Sequence, residues 1–200
     1  MAMTFIAQVE GFSASGTGQS SLATSSTLTL QVGDVLHVAL GFEATGGGLG
    51  SDVSITSVSD NAGGGGAANT YSFLTRIAHS STATEMGIAV YRCIVTRSGT
   101  ATVTAAFGGG FLPAWCNIRV EQFRPSGTAS ADTSASAQGT GTAISISSVS
   151  IAGAGAMSVF AKHYGSANWS DPGWPDALTG STSGVDSSSA YKITTASGSE

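Results

Sequence analysis

The sequence predicts an all-β protein: a two-sheet antiparallel β-sandwich with an internal duplication and almost no helix. Three observations predict it. Short runs alternate apolar and polar residues with period two, the spacing that puts every second side chain on one face of a sheet. Gly, Pro, Asn, Asp or Ser bounds each run, as strand ends usually are. No window carries apolar residues at i, i+3, i+4 and i+7 behind a plausible cap, so helix signals are almost absent.

In chain order, TLTLQV alternates Leu28, Leu30 and Val32 against Thr and Gln, a half-buried strand. DVLHVALGF is a nearly continuous apolar run and reads as a buried strand. VSITSV, TYSFLTRIA, MGIAVYRCIVT and TATVTAAF follow, then AWCNIRVEQF, ISISSVSI, AMSVFAKH and SAYKITT. So many short strands with polar turns make a sandwich or barrel. A shift of 111 residues lays Val9, Glu10, Phe12, Ser15 and Gly16 on Val120, Glu121, Phe123, Ser126 and Gly127. The same shift lays Ser59 and Asp60 on Ser170 and Asp171, and with small gaps LQVGDVLHVALGF matches VSIAGAGAMSVFAKH. The expectation is one sandwich domain over residues 1–200, with pseudo-repeats of about 1–111 and 112–200.

Composition narrows the function classes. Charged residues make up 10% of the chain and the net charge is −5, so the surface is built from Ser, Thr, Gly and Asn. The seven basic residues are spread from Arg76 to Lys192, and phosphate binding needs them clustered, so no nucleic-acid partner is expected. No apolar run approaches the roughly 18 residues of a membrane span. MAMTFIAQVEGF has neither a basic n-region nor an apolar h-region, so no signal peptide is expected. Cys93 and Cys116 lie on separate strand-like runs without C-x-x-C spacing. Zinc is not expected there, and two readings stay open: small buried hydrophobes, or a disulfide across neighbouring strands.

Catalytic motifs are missing. The stretch SDNAGGGGAANTYSF has four consecutive glycines, Gly63 to Gly66, but no Lys follows and a strand comes next instead of a helix. It reads as a long β-turn and not as a phosphate-binding loop. There is no G-x-S-x-G or H-E-x-x-H, and His37, His79 and His163 are far apart, with packed or edge positions as their default. A glycosidase needs only two carboxylates, which Asp52, Asp60, Asp171 and Asp176 could supply. Turn formation explains these residues better, since Asp side chains bond local backbone. No D-x-D spacing supports a calcium site, so neither metal nor cofactor is expected and the chain reads as a non-enzyme.

The ordered set LTLQVGDVLHVALGF, SITSVSDNAG…NTYSF, GIAVYRCIVTRSGTATVTAAF and NIRVEQFRPSG resembles a family of Gly/Ser/Thr-rich β-sandwich modules. These modules occur in phage virion proteins (capsid decorations, head spikes, tails) and in bacterial surface proteins. The shared pattern is a Gly-Asp before a buried strand, an S-D-x-x-G-x-T-Y turn and a V-E-x-F strand. This chain departs from it in the glycine expansion before Asn69 and in a missing final strand. The resemblance implies a jelly-roll-like fold and a structural or adhesive role, with no catalytic residues to carry over.

A non-enzymatic component of a phage or phage-like particle is therefore expected, made in the host cytoplasm and partnered by other virion proteins or copies of itself. The alternative is a carbohydrate-binding or adhesive module of a bacterial surface protein. HYGSANWSDPGWPD is the candidate glycan site: Tyr164, Trp169 and Trp174 offer flat apolar faces, with Asn168, Asp171 and Asp176 interleaved as polar groups. Closing one end of the sandwich, or touching a neighbouring subunit, would use the same rings.

The second repeat stops at Glu200, where the counterpart of TATVTAAF should begin. An edge strand left without its neighbour tends to pair with another chain. Ser189, Tyr191, Lys192 and Ile193 on SAYKITT are thus the expected subunit-contact edge, unless the GSTSGVDSSS segment covers it.

Overall fold

In the computed structural model, the structure describes residues 2–13, 18–45, 53–64, 68–80, 84–109, 112–129, 150–151, 155–164, 178–182, 185–194 and 198–199. Every regular element among them is a strand. In chain order these are β1 (Met3–Ser13), β2 (Ser21–Ala23), β3 (Leu28–Leu30), β4 (Val35–Thr45) and β5 (Ser54–Asp60). Next come β6 (Tyr71–Ser80), β7 (Thr84–Ile94), β8 (Gly99–Ala101), β9 (Val103–Gly108) and β10 (Trp115–Pro125). The last are β11 (Ser150–Ile151), β12 (Gly155–Tyr164), β13 (Leu178–Thr182), β14 (Val185–Thr194) and β15 (Gly198–Ser199).

All pairings are antiparallel. The main sheet has the order β1-β10-β4-β7-β6, and β4 sits at its centre. Period two then divides β4 cleanly. Leu36, Val38, Leu40, Phe42 and Ala44 join one core with Leu22, Leu28, Leu30, Val103, Ala105 and Phe107 of β2, β3 and β9. That core closes the sandwich against the β2-β9-β5 sheet and the β3-β8 ladder. The opposite face presents Val35 and His37, and there the three-stranded sheet β12-β14-β13 is laid down. Phe123 and Val35 are buried in a small second cluster with Met3, Phe5, Ala129, Ala156 and Ile193.

Edge strands and inner strands differ in regularity. β1 slips register at Ile6, β6 at Leu74 and β5 at Thr56, whereas β4 pairs without a break to β10 and to β7. The bulge in β1 has a local consequence. Met3 and Phe5 pack in the small cluster, yet Ala7 and Val9 pack in the main core on the other face. One extra residue has turned the strand over. It also spoils the period-two pattern, which is why β1 is an addition to the strands expected from sequence, as are β2, β13 and β15. Val32, expected within a strand, lies in the turn after β3 and is 68% exposed. TATVTAAF is two strands, broken at Thr102, whose N–H donates to Asn61 Oδ1 at 2.8 Å. Of ISISSVSI, only Ser150 and Ile151 lie within the described residues.

Val9 and Val120, equivalent under the 111-residue shift, are Cα partners, so β1 and β10 pair about a local twofold axis. The trio β4-β7-β6 and the trio β12-β14-β13 share strand order, each with its last-named strand joined to the middle one as an antiparallel neighbour. Cys93 on β7 and Cys116 on β10 are both buried, and no disulfide joins them. β4 separates their strands, so a disulfide across neighbouring strands is ruled out.

Phe42 is fully buried, and its ring fills the space over Gly87, a residue without a side chain at that register position. A Cβ at Gly87 would stand 2.5 Å from Phe42 Cζ and 2.7 Å from the Ile77 carbonyl oxygen, and the latter is backbone that cannot swing aside. Gly87→Ala is therefore expected to destabilise the fold by about 1–3 kcal/mol, read as a lower urea midpoint with an unchanged slope. An unchanged midpoint would mean that β6 and β7 are not packed this closely.

Candidate functional site

Three polar constellations stand out, and each is built by specific strand ends or rows. The first is the turn network of the S-D-N-A-G…N-T-Y stretch. Asp60, at the end of β5, accepts the Ala62 N–H on Oδ1 at 3.0 Å. Its Oδ2 accepts Asn69 Nδ2 at 3.0 Å and the Tyr71 hydroxyl at 2.8 Å. Asn69 Oδ1 in turn accepts the N–H groups of Thr96 and Arg97, each at 2.8 Å, and its Nδ2 also donates to the Arg97 carbonyl at 3.2 Å. The loop after β5 is thus tied to the turn after β7. Burial, then the neighbouring Asp60 carboxylate, pushes the Tyr71 hydroxyl far above its usual range, so it stays a donor. Burial likewise pushes the Cys93 thiol up to about 12, leaving it inert as a nucleophile at neutral pH. Gly63 and Gly64 hold φ of +79° and +61°, the left-handed region a side chain resists. The first half of the glycine run is a turn leading towards a strand, and residues 65–67 lie outside the described residues.

The second constellation clamps the Gly-Asp before β4. Arg124 reaches Asp34 with both Nε (2.7 Å to Oδ1) and Nη2 (2.9 Å to Oδ2), a bidentate pair. Gln122 Nε2 and the Gln31 N–H donate to the same Oδ2 at 2.6 and 2.9 Å. Burial alone would push the Asp34 carboxyl up. The Arg124, Gln31 and Gln122 hydrogen bonds outweigh it and hold the group below its usual range. Its stabilisation is present above the unfolded value of 3.8 and is lost as pH falls through the lower folded value.

The third is a row across the main sheet, on the face turned towards β12. Gln8, Glu121, His37, Arg92 and Ser72 are successive Cα partners across all five strands. Glu121 is completely buried. One step along, Arg119 Nη2 meets Glu10 Oε2 at 3.0 Å. From above, Ser158 of β12 lies 2.6 Å from His37 Nδ1. A Ser–His pair thus lies beside a buried carboxyl group. Burial, then the Arg92 guanidinium, depresses His37 from 6.5 to about 4, so the imidazole is a weak base at neutral pH. Its position between two sheets makes it a fastening. Of this row the sequence marks His37 alone as a packed or edge side chain, because alternation shows which residues share a face and not what that face meets.

The expected site residues fall as follows. Tyr164 ends β12 opposite Val185, whereas Asn168, Trp169, Asp171, Trp174 and Asp176 lie outside the described residues, as does Asp52. At the β6 edge, Phe73 is 57% exposed and stands edge-on to Tyr91, ring centroids 5.5 Å apart. Ser189 is not on an open edge: it pairs with Phe160 on one side and Leu178 on the other. The GSTSGVDSSS segment supplies that cover by folding back as β13 and the start of β14. Tyr191, Lys192 and Ile193 pair with Ser158, Met157 and Ala156 of β12, and the residues before Leu178 lie outside the described residues.

No protein-family model matches the chain, and no curated protein or solved structure matches it.

The turn network offers a direct check. Asn69→Ala removes the buried acceptor that ties the exposed turn at Thr96 and Arg97 to the loop after β5, and it takes a donor from the buried Asp60 carboxylate. A loss of about 1–3 kcal/mol is expected in urea unfolding, on the cost of leaving a buried polar group short of a partner. A loss under about 0.5 kcal/mol would show that water replaces these bonds freely.

Proposed function

We propose that this chain is a non-enzymatic structural component of a phage or phage-like particle, docking through the C-terminal half of β14. The contrast between sheet edges carries the reading. β1, β6 and β5 are each interrupted by a bulge, a common way to blunt an edge against unwanted pairing. β14 runs in unbroken register with β12 and, beyond Ser189, has no second strand among the described residues. An unbulged strand such as β14 is the kind of edge to which another chain can add a strand. The low-charge Ser/Thr/Gly surface and the resemblance of the VGD, SDNAG and VEQF segments to virion modules support the same reading.

Two chemical observations support a role without catalysis. Asp60 spends both carboxylate oxygens on Ala62, Asn69 and Tyr71. His37 is a weak base part-buried between sheets. A second reading, a carbohydrate-binding module, rests on the Tyr164–Asp176 segment, whose rings suit sugar faces.

Hydrogen exchange on the chain alone and bound to purified particles separates the readings. Protection of residues 190–194 is expected to rise at least about tenfold on docking, as amides that enter a ladder stop opening freely. Docking without added protection there would place the contact elsewhere. Failure to bind particles, together with glycan-array hits that Trp169→Ala and Trp174→Ala abolish, would favour the carbohydrate reading instead.

A further inference from the structure

The two layers on the main sheet are held by different means. On one face, Leu36, Val38, Leu40 and Phe42 interlock with β2, β3 and β9 in an extended apolar core. On the other, the described apolar contact is confined to Val35 and Phe123 with Met3, Phe5, Ala129, Ala156 and Ile193. Beside this small cluster sits His37, stacked against Phe123 with ring centroids 5.1 Å apart and bonded through Nδ1 to Ser158 of β12.

We propose that the three-stranded sheet β12-β14-β13 is an acid-releasable layer: protonation of His37 undocks it while the five-stranded sheet and its opposite core stay folded. This inference does not depend on the reading of the chain as a particle component.

The reasoning concerns where a positive charge is tolerated. A neutral imidazole accepts the Ser158 hydroxyl proton on Nδ1 and needs no counter-charge. A protonated ring keeps a bond to Ser158 by donating instead, so the hydrogen bond is not what fails. What fails is solvation, because the imidazolium lies part-buried between sheets with the Arg92 guanidinium on the neighbouring strand β7. Glu121, its Cα partner on β10, brings a fully buried carboxyl group beside it. From the overlying layer, Tyr191 stands opposite Ser158 in register and Lys192 opposite Met157, with Lys162 and His163 further along β12. Burial and Arg92 together prevail, since the ring holds its proton far less readily than an exposed histidine. Undocking returns the ring to water and removes the penalty, at the cost of the contacts that Val35 and Phe123 make with Ala156 and Ile193. The opposite core contains no histidine among the described residues and has no reason to respond over the same range.

The sign follows from the direction of the shift. His37 titrates at 6.5 when exposed and near 4 when docked, so acid favours the undocked layer as pH falls from about 6.5 towards 4. The undocking equilibrium moves by about two orders of magnitude across that window.

Hydrogen exchange at pH 7 and pH 4, corrected for intrinsic rates, tests this on the whole chain. Amides of 155–164 and 185–194 are expected to lose about a hundredfold in protection, while β4, β7 and β10 change little. His37→Gln keeps a hydrogen-bonding group without a proton to gain, and its layer should stay protected at pH 4. Should that variant fold poorly, Ser158→Ala serves: it retains His37, so acid release should persist with a weaker docked state at pH 7. Three results would overturn the proposal: no loss in wild type, an equal loss in His37→Gln, or a simultaneous loss across both layers.

Discussion

A strand buried on both faces is the constraint from which the rest of this structure follows. β4 lies at the centre of the main sheet, with β10 and β7 bonded along its length. Its even-numbered side chains are wholly enclosed in the sandwich core, and its odd-numbered ones lie under or beside a second layer. The backbone of such a strand satisfies itself through its neighbours, so it imposes no polar cost. Side chains are the difficulty. One face can be filled with Leu, Val and Phe, but the flanking strands β7 and β10 bring Arg92, Arg119 and Glu121 to the other. A polar row crossing five strands between two sheets is the outcome. It ties the layers together weakly, in contrast to the apolar interlock on the far side.

The strand ends are governed by a different economy. At one end of the sandwich, Asp60 and Asn69 satisfy the backbone donors of two loops with short side chains. Asp34 does the same before β4 and recruits Arg124 from β10. In a chain with so few charges, those it has are placed where a turn must be held or where strands must be kept in register. Arg119, buried on β10, likewise reaches out to the exposed Glu10 of β1. The same frugality leaves few charges to guard sheet edges, and bulges at Ile6, Leu74 and Thr56 stand where other proteins would place lysines.

Much of the fold was legible in the sequence, because period-two alternation and turn residues act locally. Leu28 and Leu30, the Val35–Phe42 run and the Val103–Phe107 alternation all point where the sequence expects. β1 was hidden by its own bulge, which breaks the alternation at Ile6 and sends Phe5 and Ala7 to opposite faces. The second layer was hidden for a deeper reason. Alternation reports which residues share a face, but not whether a polar face meets water or another sheet. Arg119 and Glu121 are both buried, which alternation alone does not disclose. The role of GSTSGVDSSS as a covering hairpin was legible as one of two alternatives, since Ser-Gly punctuation between short runs marks a turn. The aromatic segment after Tyr164, where sequence places the glycan candidate, lies outside the described residues.

The central claim is that the main sheet carries the β12 layer on the face opposite its apolar core, with His37 neutral at the join. Nuclear Overhauser contacts from the His37 ring protons at pH 7.5 test this most directly. The account predicts contacts to the Ser158 β-protons and to the Phe123 ring, with an imidazole chemical shift typical of the neutral form. Contacts to Phe123 without any to Ser158, on a His37 ring that titrates freely near 6.5, would contradict it.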